Sequence, residues 1–314
     1  MGGSGTGPAP DRARGIYTTG ATGWLHAIDG ATGRVLWKKN VVADLGIDPD
    51  AHAVAVAWGR AGSPLVAGPL VIVPGGGPRQ DGSAVSLVAY ERATGERRWT
   101  GGREQISYVS PQLATIGGRE LVLAVNESSV AAHAAGDGEE LWRFDWPGHS
   151  NSDATCSQPH VMQGDRLMLS KGYGIGAAVF APAGEPPAYA AAWRQPGLLK
   201  TKFTNVAIHD GHAYGLSDGI LECVDLADGT RAWKGGRYGQ GQVLRVGGFL
   251  LVQAESGEVV LIDCSPTRHV VRARLAAVDG QTWNNLCLAG DRLLVRNAEE
   301  AACYRLPLAP GATP

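Results

Sequence analysis

Four stretches of this chain repeat one short pattern, and that pattern narrows the fold more than any other feature. The first copy reads Leu25-His-Ala-Ile-Asp29-Gly-Ala-Thr-Gly33-Arg-Val-Leu-Trp37. The others are Val88-Ala-Tyr-Glu91-Arg-Ala-Thr-Gly95-Glu-Arg-Arg-Trp99, Val130-Ala-Ala-His-Ala134-Ala-Gly-Asp-Gly138-Glu-Glu-Leu-Trp142 and Glu222-Cys-Val-Asp225-Leu-Ala-Asp-Gly229-Thr-Arg-Ala-Trp233. Each copy places a tryptophan four residues after a turn glycine. Successive tryptophans are 62, 43 and 91 residues apart, and Trp193 divides the last interval into 51 and 40. A period of about 40–50 residues built from short alternating segments is the signature of a propeller-type array.

Turn chemistry supports the same architecture. In three copies the apolar segment ends in Asp29, Glu91 or Asp225, whose side chain can cap the turn, while Ala134 stands there in the third. The glycine takes a positive φ and a second strand begins. A tryptophan at every repeat is too large to leave in water. It is expected to wedge between neighbouring sheets, with its N–H on a backbone carbonyl. Hairpin signals at Gly20-Ala-Thr-Gly23, Asp210-Gly211, Ser217-Asp-Gly219 and Ser256-Gly257 bring each repeat to about four antiparallel strands.

The expected fold is therefore an all-β propeller of about seven four-stranded blades, incomplete at both ends. A partial repeat covers 14–43, full repeats cover 58–103, 104–147, 150–197, 200–236 and 238–277, and a three-strand piece covers 281–308. Insertions fall at 44–57 and 75–83, and residues 181–189, with Pro182, Pro186 and Pro187, read as a loop. One propeller domain spans 14–308, with a flexible segment at 1–13 and a tail at 309–314. Residues 1–13 hold no β-branched run to complete the last blade. The open edges are expected either to pair with each other or to stay exposed.

Composition excludes several alternatives. Glycine fills 45 of 314 positions, about twice the usual share of roughly 7%. Each one inside a helix costs about 1 kcal/mol, which disfavours a helical fold. The net charge of −2 and the lack of a basic run argue against a nucleic-acid partner. No apolar stretch is long enough for a transmembrane helix. The N-terminal Gly- and Pro-rich segment has no signal-peptide core, so the chain as written is expected in the cytoplasm, as a truncated or mis-started form of an exported protein. Cys156, Cys223, Cys264, Cys287 and Cys303 read as small core residues rather than a disulfide or metal framework.

The Asp-x-x-Thr-Gly-x-x-x-Trp pattern resembles the repeat of pyrrolo-quinoline-quinone (PQQ)-like β-propellers. That superfamily includes quinoprotein alcohol dehydrogenases and BamB-like outer-membrane assembly lipoproteins. Lys202-Phe-Thr-Asn205, Tyr214-Gly-Leu-Ser-Asp-Gly219 and Gly280-Gln-Thr-Trp-Asn284 strengthen the resemblance, which extends over 14–308. It implies a protein that is often exported and, in the quinoprotein branch, PQQ, calcium, a catalytic carboxylate and adjacent cysteines. This chain has no Cys-Cys pair, and Asp153, Glu255 and Glu299 form no recognisable ligand cluster in sequence. The expectation is no cofactor, with PQQ and calcium as the alternative.

Three short motifs read better as structure. Gly172-Tyr-Gly-Ile-Gly-Ala177 matches a dinucleotide fingerprint but lacks the helix that must follow it. Gly215-Leu-Ser-Asp-Gly219 matches a nucleophile elbow but leads into another strand. His209-Asp-Gly-His212 offers two imidazoles around a hairpin turn, too few for zinc.

What remains is position. The loops leading into the innermost strands should gather at one mouth of a propeller, and they are rich in amides, aromatics and cations. Lys202, Asn205, Arg237, Gln240, Gln242, Trp283 and Asn284 are expected to converge there, although they come from three successive repeats. Trp283 would be the apolar anchor and the amides would give directional hydrogen bonds. Lys202 and Arg237 would favour an anionic group. The functional expectation is a non-catalytic binding or scaffold module for a protein, peptide or glycan partner. The alternative is a quinoprotein-type oxidoreductase acting on alcohols or sugars. Polar strand ends that merely hold water are the plainer account of the same residues.

Overall fold

The structure is a computed structural model that describes residues 15–184 and 188–307. Internal contacts divide the chain into one unit of residues 1–155 with 184–188, and a second of 156–183 with 189–314.

The first unit holds three antiparallel sheets. The first consists of β1 (Gly15–Thr19), β2 (Trp24–Asp29) and β3 (Val35–Asn40). Two short helices follow, α1 (Val41–Asp44) and α2 (Pro49–Ala55). The second sheet is β4 (Leu65–Ala67), β5 (Leu70–Gly76), β6 (Val85–Glu91) and β7 (Arg97–Gly101). The third is β8 (Gln112–Ile116), β9 (Arg119–Val125), β10 (Ser129–Ala134) and β11 (Glu140–Asp145).

The second unit holds four. They are β12 (His160–Met162) to β15 (Tyr189–Gln195) through β13 (Arg166–Lys171) and β14 (Gly176–Pro182); then β16 (Ala207–His209), β17 (His212–Ser217), β18 (Ile220–Asp225) and β19 (Arg231–Arg237). Next come β20 (Gln242–Val246), β21 (Phe249–Gln253), β22 (Glu258–Asp263) and β23 (Val271–Ala276). The last three are β24 (Cys287–Ala289), β25 (Arg292–Arg296) and β26 (Ala301–Arg305). Among the described residues these are seven blades of the β-propeller class, five with four strands and the first and last with three. No helix among them is long and apolar enough to cross a membrane.

The repeated turns share one geometry. Gly33, Gly95, Gly138 and Gly229 have φ of 73°, 72°, 78° and 75°. Their N–H groups donate to the carbonyls of Asp29, Glu91, Ala134 and Asp225 at 2.7–3.0 Å. The Asp29 carboxylate also accepts from Ala31 and Thr32 N–H at 2.9 and 3.0 Å, and Asp225 accepts from Ala227 at 2.8 Å. Among the described residues the Glu91 carboxylate makes no such bond, and the turn closes through Gly95 N–H on the Glu91 carbonyl.

Within each unit, tryptophans join one blade to the next. In the first unit the Trp37 ring lies on Gly95, and its Nε1 donates to the Arg92 carbonyl at 2.9 Å. Trp99 lies in the same way on Gly138, although its indole N–H is buried without a partner. In the second unit Trp193 covers Gly229 and donates to the Leu226 carbonyl at 3.1 Å. Trp233 donates to the Ser265 carbonyl at 2.8 Å. The middle strands of the sheets supply the core, with β5, β6 and β10 buried along nearly their whole length.

Within the insertion at 44–57 lies α2: Asp48 caps it by accepting from Asp50 and Ala51 N–H at 3.0 and 2.9 Å, with Pro49 opening the helix. Val41, Val42, Leu45 and Ile47 then pack on Leu25, Val71, Val73 and Tyr90. Residues 181–189 are not loop throughout, since Pro182 ends β14 paired with Tyr189. A proline is tolerated at a strand end, where no ladder donor is needed; Pro186 and Pro187 lie outside the described residues.

Cys287 and Cys303 are exposed rather than core residues, while Cys223 is buried. They share the outer face of the last sheet with Leu294, whereas Leu293 and Val295 fill the other face. Among the described residues β1 pairs only with β2 and β26 only with β25.

The discounted motifs are hairpins. Residues 172–175 connect β13 to β14, and 218–219 connect β17 to β18. His212 Nδ1 donates to the Asp210 carbonyl at 2.9 Å within its own turn.

Candidate functional site

In the second unit, three connecting segments bring polar and aromatic residues together: 196–206 after β15, 238–241 after β19 and 277–286 after β23. Gln242, at the start of β20, is 3% exposed. Its Nε2 donates to the Phe203 carbonyl at 3.0 Å and the Trp283 carbonyl at 2.8 Å. One amide thus ties two loops that are 80 residues apart in the chain. Tied in this way, the Phe203 and Trp283 rings lie 5.3 Å apart at 48°. They stay 39% and 46% exposed.

Glu255, in the turn between β21 and β22, fixes the other side of Trp283. Its Oε1 accepts from Trp283 Nε1 at 2.8 Å and its Oε2 from Gln240 N–H at 3.0 Å. These donors, Gln240 first, hold its carboxyl below the ordinary value of 4.5, so it is ionised at neutral pH. Glu255 N–H in turn donates to the Tyr238 carbonyl at 2.7 Å.

Of the residues expected to converge, Gln240, Gln242 and Trp283 share this network. Gln240 keeps a buried Oε1 without a partner. Lys202 adjoins it by sequence, but its ammonium sits 5.9 Å over the Tyr173 ring. Asn205 is spent internally, accepting from Gln158 N–H at 2.7 Å. Arg237 is exposed at the end of β19, and neither its side chain nor that of half-buried Asn284 makes a hydrogen bond among the described residues. Sequence reasoning did not single out Phe203 as a site residue, and it weighed Glu255 only as a candidate base. The legible signal was the turn Ala254-Glu-Ser-Gly257, which projects one carboxylate at the end of a hairpin.

Glu222 is fully buried on β18. Its Oε2 accepts from Leu199 N–H at 2.6 Å and its Oε1 from Arg231 Nε at 2.5 Å. Ser217, from the discounted elbow motif, accepts from Lys200 N–H at 3.1 Å. Both residues fix the backbone of the 196–206 segment.

A calcium ion beside a quinone would need clustered oxygen donors. Among the described residues no three His, Cys, Asp or Glu side chains gather closely enough to share a metal ion, and calcium takes about six to eight oxygens. Glu255 is committed to two N–H donors and ionised, unlike a base whose affinity for protons has been raised. These donors do not fit that pair.

Comparison with known proteins agrees with the repeat pattern. A family profile described as "Outer membrane protein assembly factor BamB" matches residues 2–235. No curated protein matches the chain by sequence. Among solved structures, BamB from Moraxella catarrhalis superposes with a TM-score of 0.63 at 16% identity, covering 94% of this chain and 82% of that one. A europium-containing methanol dehydrogenase gives 0.61 at 14%, covering 90% and 71%. Sqt1 from Saccharomyces cerevisiae gives 0.62 at only 8%, covering 94% and 82%. At such identities these likenesses concern fold alone. With the profile covering most of its length, the chain belongs to the BamB-like family of PQQ-repeat β-propellers.

Proposed function

We propose that this protein is a non-catalytic recognition or scaffold module that engages its partner at the Phe203–Trp283 end of the second unit. The observation that carries the reading is an exposed aromatic pair whose backbone and indole are fixed from within by Gln242 and Glu255. Large apolar rings in water cost free energy, and pinning them in advance lowers the ordering cost of binding. The family profile, named for an assembly factor, supports a scaffold role.

The test compares the native chain with a Phe203→Ala/Trp283→Ala variant in quantitative capture from the native extract. A protein enriched by the native chain and lost with the variant supports the reading. Equal captures, or no enrichment by either, refute it. The methanol dehydrogenase likeness supplies the rival arm: saturable binding of added PQQ with calcium, together with dye reduction by alcohols, would replace recognition with oxidoreductase chemistry.

A further inference from the structure

Among the described residues the last sheet of the second unit has three strands where the two sheets before it have four. In those two, opposite charges cross from the third strand to the fourth. Arg231 of β19 donates to Glu222 of β18 at 2.5 Å. Arg272 and Arg274 of β23 reach Asp263 and Glu258 of β22 at 2.7 and 2.6 Å. The third strand supplies the carboxylates and the fourth supplies the cations. Opposite charges across a strand pair favour it, and like charges oppose it.

In the last sheet the sign is reversed. Its third strand, β26, holds no carboxylate. Alternation puts Arg292, Leu294 and Arg296 of β25 on one face with Ala301, Cys303 and Arg305 of β26. The register makes three rows: Arg292 beside Arg305, Leu294 beside Cys303, and Arg296 beside Ala301. All six are exposed, Leu294 at 43%. Arg305 pairs with Asp291 at 3.2 Å, whereas Arg292 and Arg296 meet no carboxylate among the described residues. Glu299 and Glu300 lie in the turn ahead of β26, where Glu300 accepts from Asp279 N–H at 2.6 Å. An apolar row is thus bracketed by two unanswered cations.

We propose that the outer edge of β26 captures an extended acidic segment of a partner protein as a fourth antiparallel strand. The segment carries Glu or Asp at positions i and i+4 and an apolar residue at i+2. Residue i lies opposite Arg305, in the row of Arg292, and residue i+2 lies on Cys303 and Leu294. Residue i+4 lies opposite Ala301, whose small side chain leaves that row open to Arg296. The added strand and β25 are two strand spacings apart, roughly 10 Å, which an extended glutamate and arginine bridge between them. Main-chain bonds give such a strand its affinity and the alternate side chains its specificity. A second copy of this chain would bring arginines to arginines. Residues 1–14 and 308–314 hold one acidic side chain, Asp11, so they lack the pattern. This site shares no residue with the Phe203–Trp283 platform and goes beyond the recognition reading.

The experiment uses the full chain and two fluorophore-labelled heptapeptides, TEVLVET and TKVLVKT, which differ only in the sign of the flanking charges. Anisotropy reads binding, and hydrogen exchange reads the β26 amides. Saturable binding of the acidic peptide is expected, at least tenfold tighter than that of the basic one. Arg292→Glu and Arg296→Glu should each weaken it about tenfold, or about 1.4 kcal/mol; both side chains are exposed, so the fold tolerates either change. The outward amides of 301–305 should exchange freely in the unbound chain and gain protection with peptide. The proposal is overturned if the acidic peptide does not bind, if the two peptides bind alike, or if both variants bind as the native chain does. Protection of those amides without peptide also overturns it. In a monomer that result means the chain fills its own edge, and in a dimer that a second copy does.

Discussion

Replacing Gly95 and Gly33 by alanine separates two effects that the repeat combines. The glycines occupy the same turn of successive blades at φ of 72° and 73°. A left-handed conformation costs an L-residue about 1–2 kcal/mol, and a stiffer unfolded chain returns about 0.4–1 kcal/mol. That leaves a net cost of about 1 kcal/mol at both sites. The surroundings differ. A Cβ at Gly33 meets nothing within 4 Å, whereas at Gly95 it lies 2.7 Å from the Trp37 ring. Overpacking of this kind adds about 1–3 kcal/mol, and displacing the ring puts the 2.9 Å bond to the Arg92 carbonyl at risk, about 1 kcal/mol more.

Gly33→Ala should therefore cost about 1 kcal/mol and Gly95→Ala about 3–5 kcal/mol, or roughly 3 °C and 9–15 °C in melting temperature for a unit of this size. Urea unfolding followed by fluorescence measures both. A Trp37→Ala background completes the cycle: without the ring, the Gly95→Ala cost should fall to that of Gly33→Ala. Equal costs for the two glycines, or no coupling to Trp37, would refute the claim that tryptophan seated on glycine joins the blades.

Truncating Glu222 to alanine strands the buried Leu199 N–H and releases Arg231, so a loss of about 3 kcal/mol is expected. Glu222→Gln keeps an acceptor and should lose less than half as much in the same unfolding assay. Burial holds the His52, His133 and His160 imidazoles below their ordinary value of 6.5. Arg60, 7% exposed and donating to the Gly75 carbonyl at 2.7 Å, further disfavours charge on His52. The unfolded chain takes up these protons first as pH falls below about 6.5, so their contribution is complete above that value and is lost below it. Urea midpoints at about pH 7.5, 6 and 5 should fall in that order; a flat or rising series contradicts the assignment.

The repeat, the turn glycines and the blade boundaries could be read from sequence because strand alternation and turn conformation depend on residues only a few positions apart. The expected boundary of the fifth repeat, 200–236, differs from the observed span of β16–β19 by a few residues. The seat of the tryptophans was legible for the same reason, since a ring that large recurring on one face has to be covered. Which polar residues remain free was not legible. Arg60, a cation in the segment before β4, is buried and holds the 74–75 carbonyls. Asn205 is consumed by Gln158, while Arg237 is left open. Gln242 became a tether only because folding brings Phe203 and Trp283 to its two amide protons. Sequence sets local conformation and the apolar face of each strand. A side chain's use in hydrogen bonding depends on partners 14 to 47 residues away in these cases, and only the packed tertiary structure delivers those.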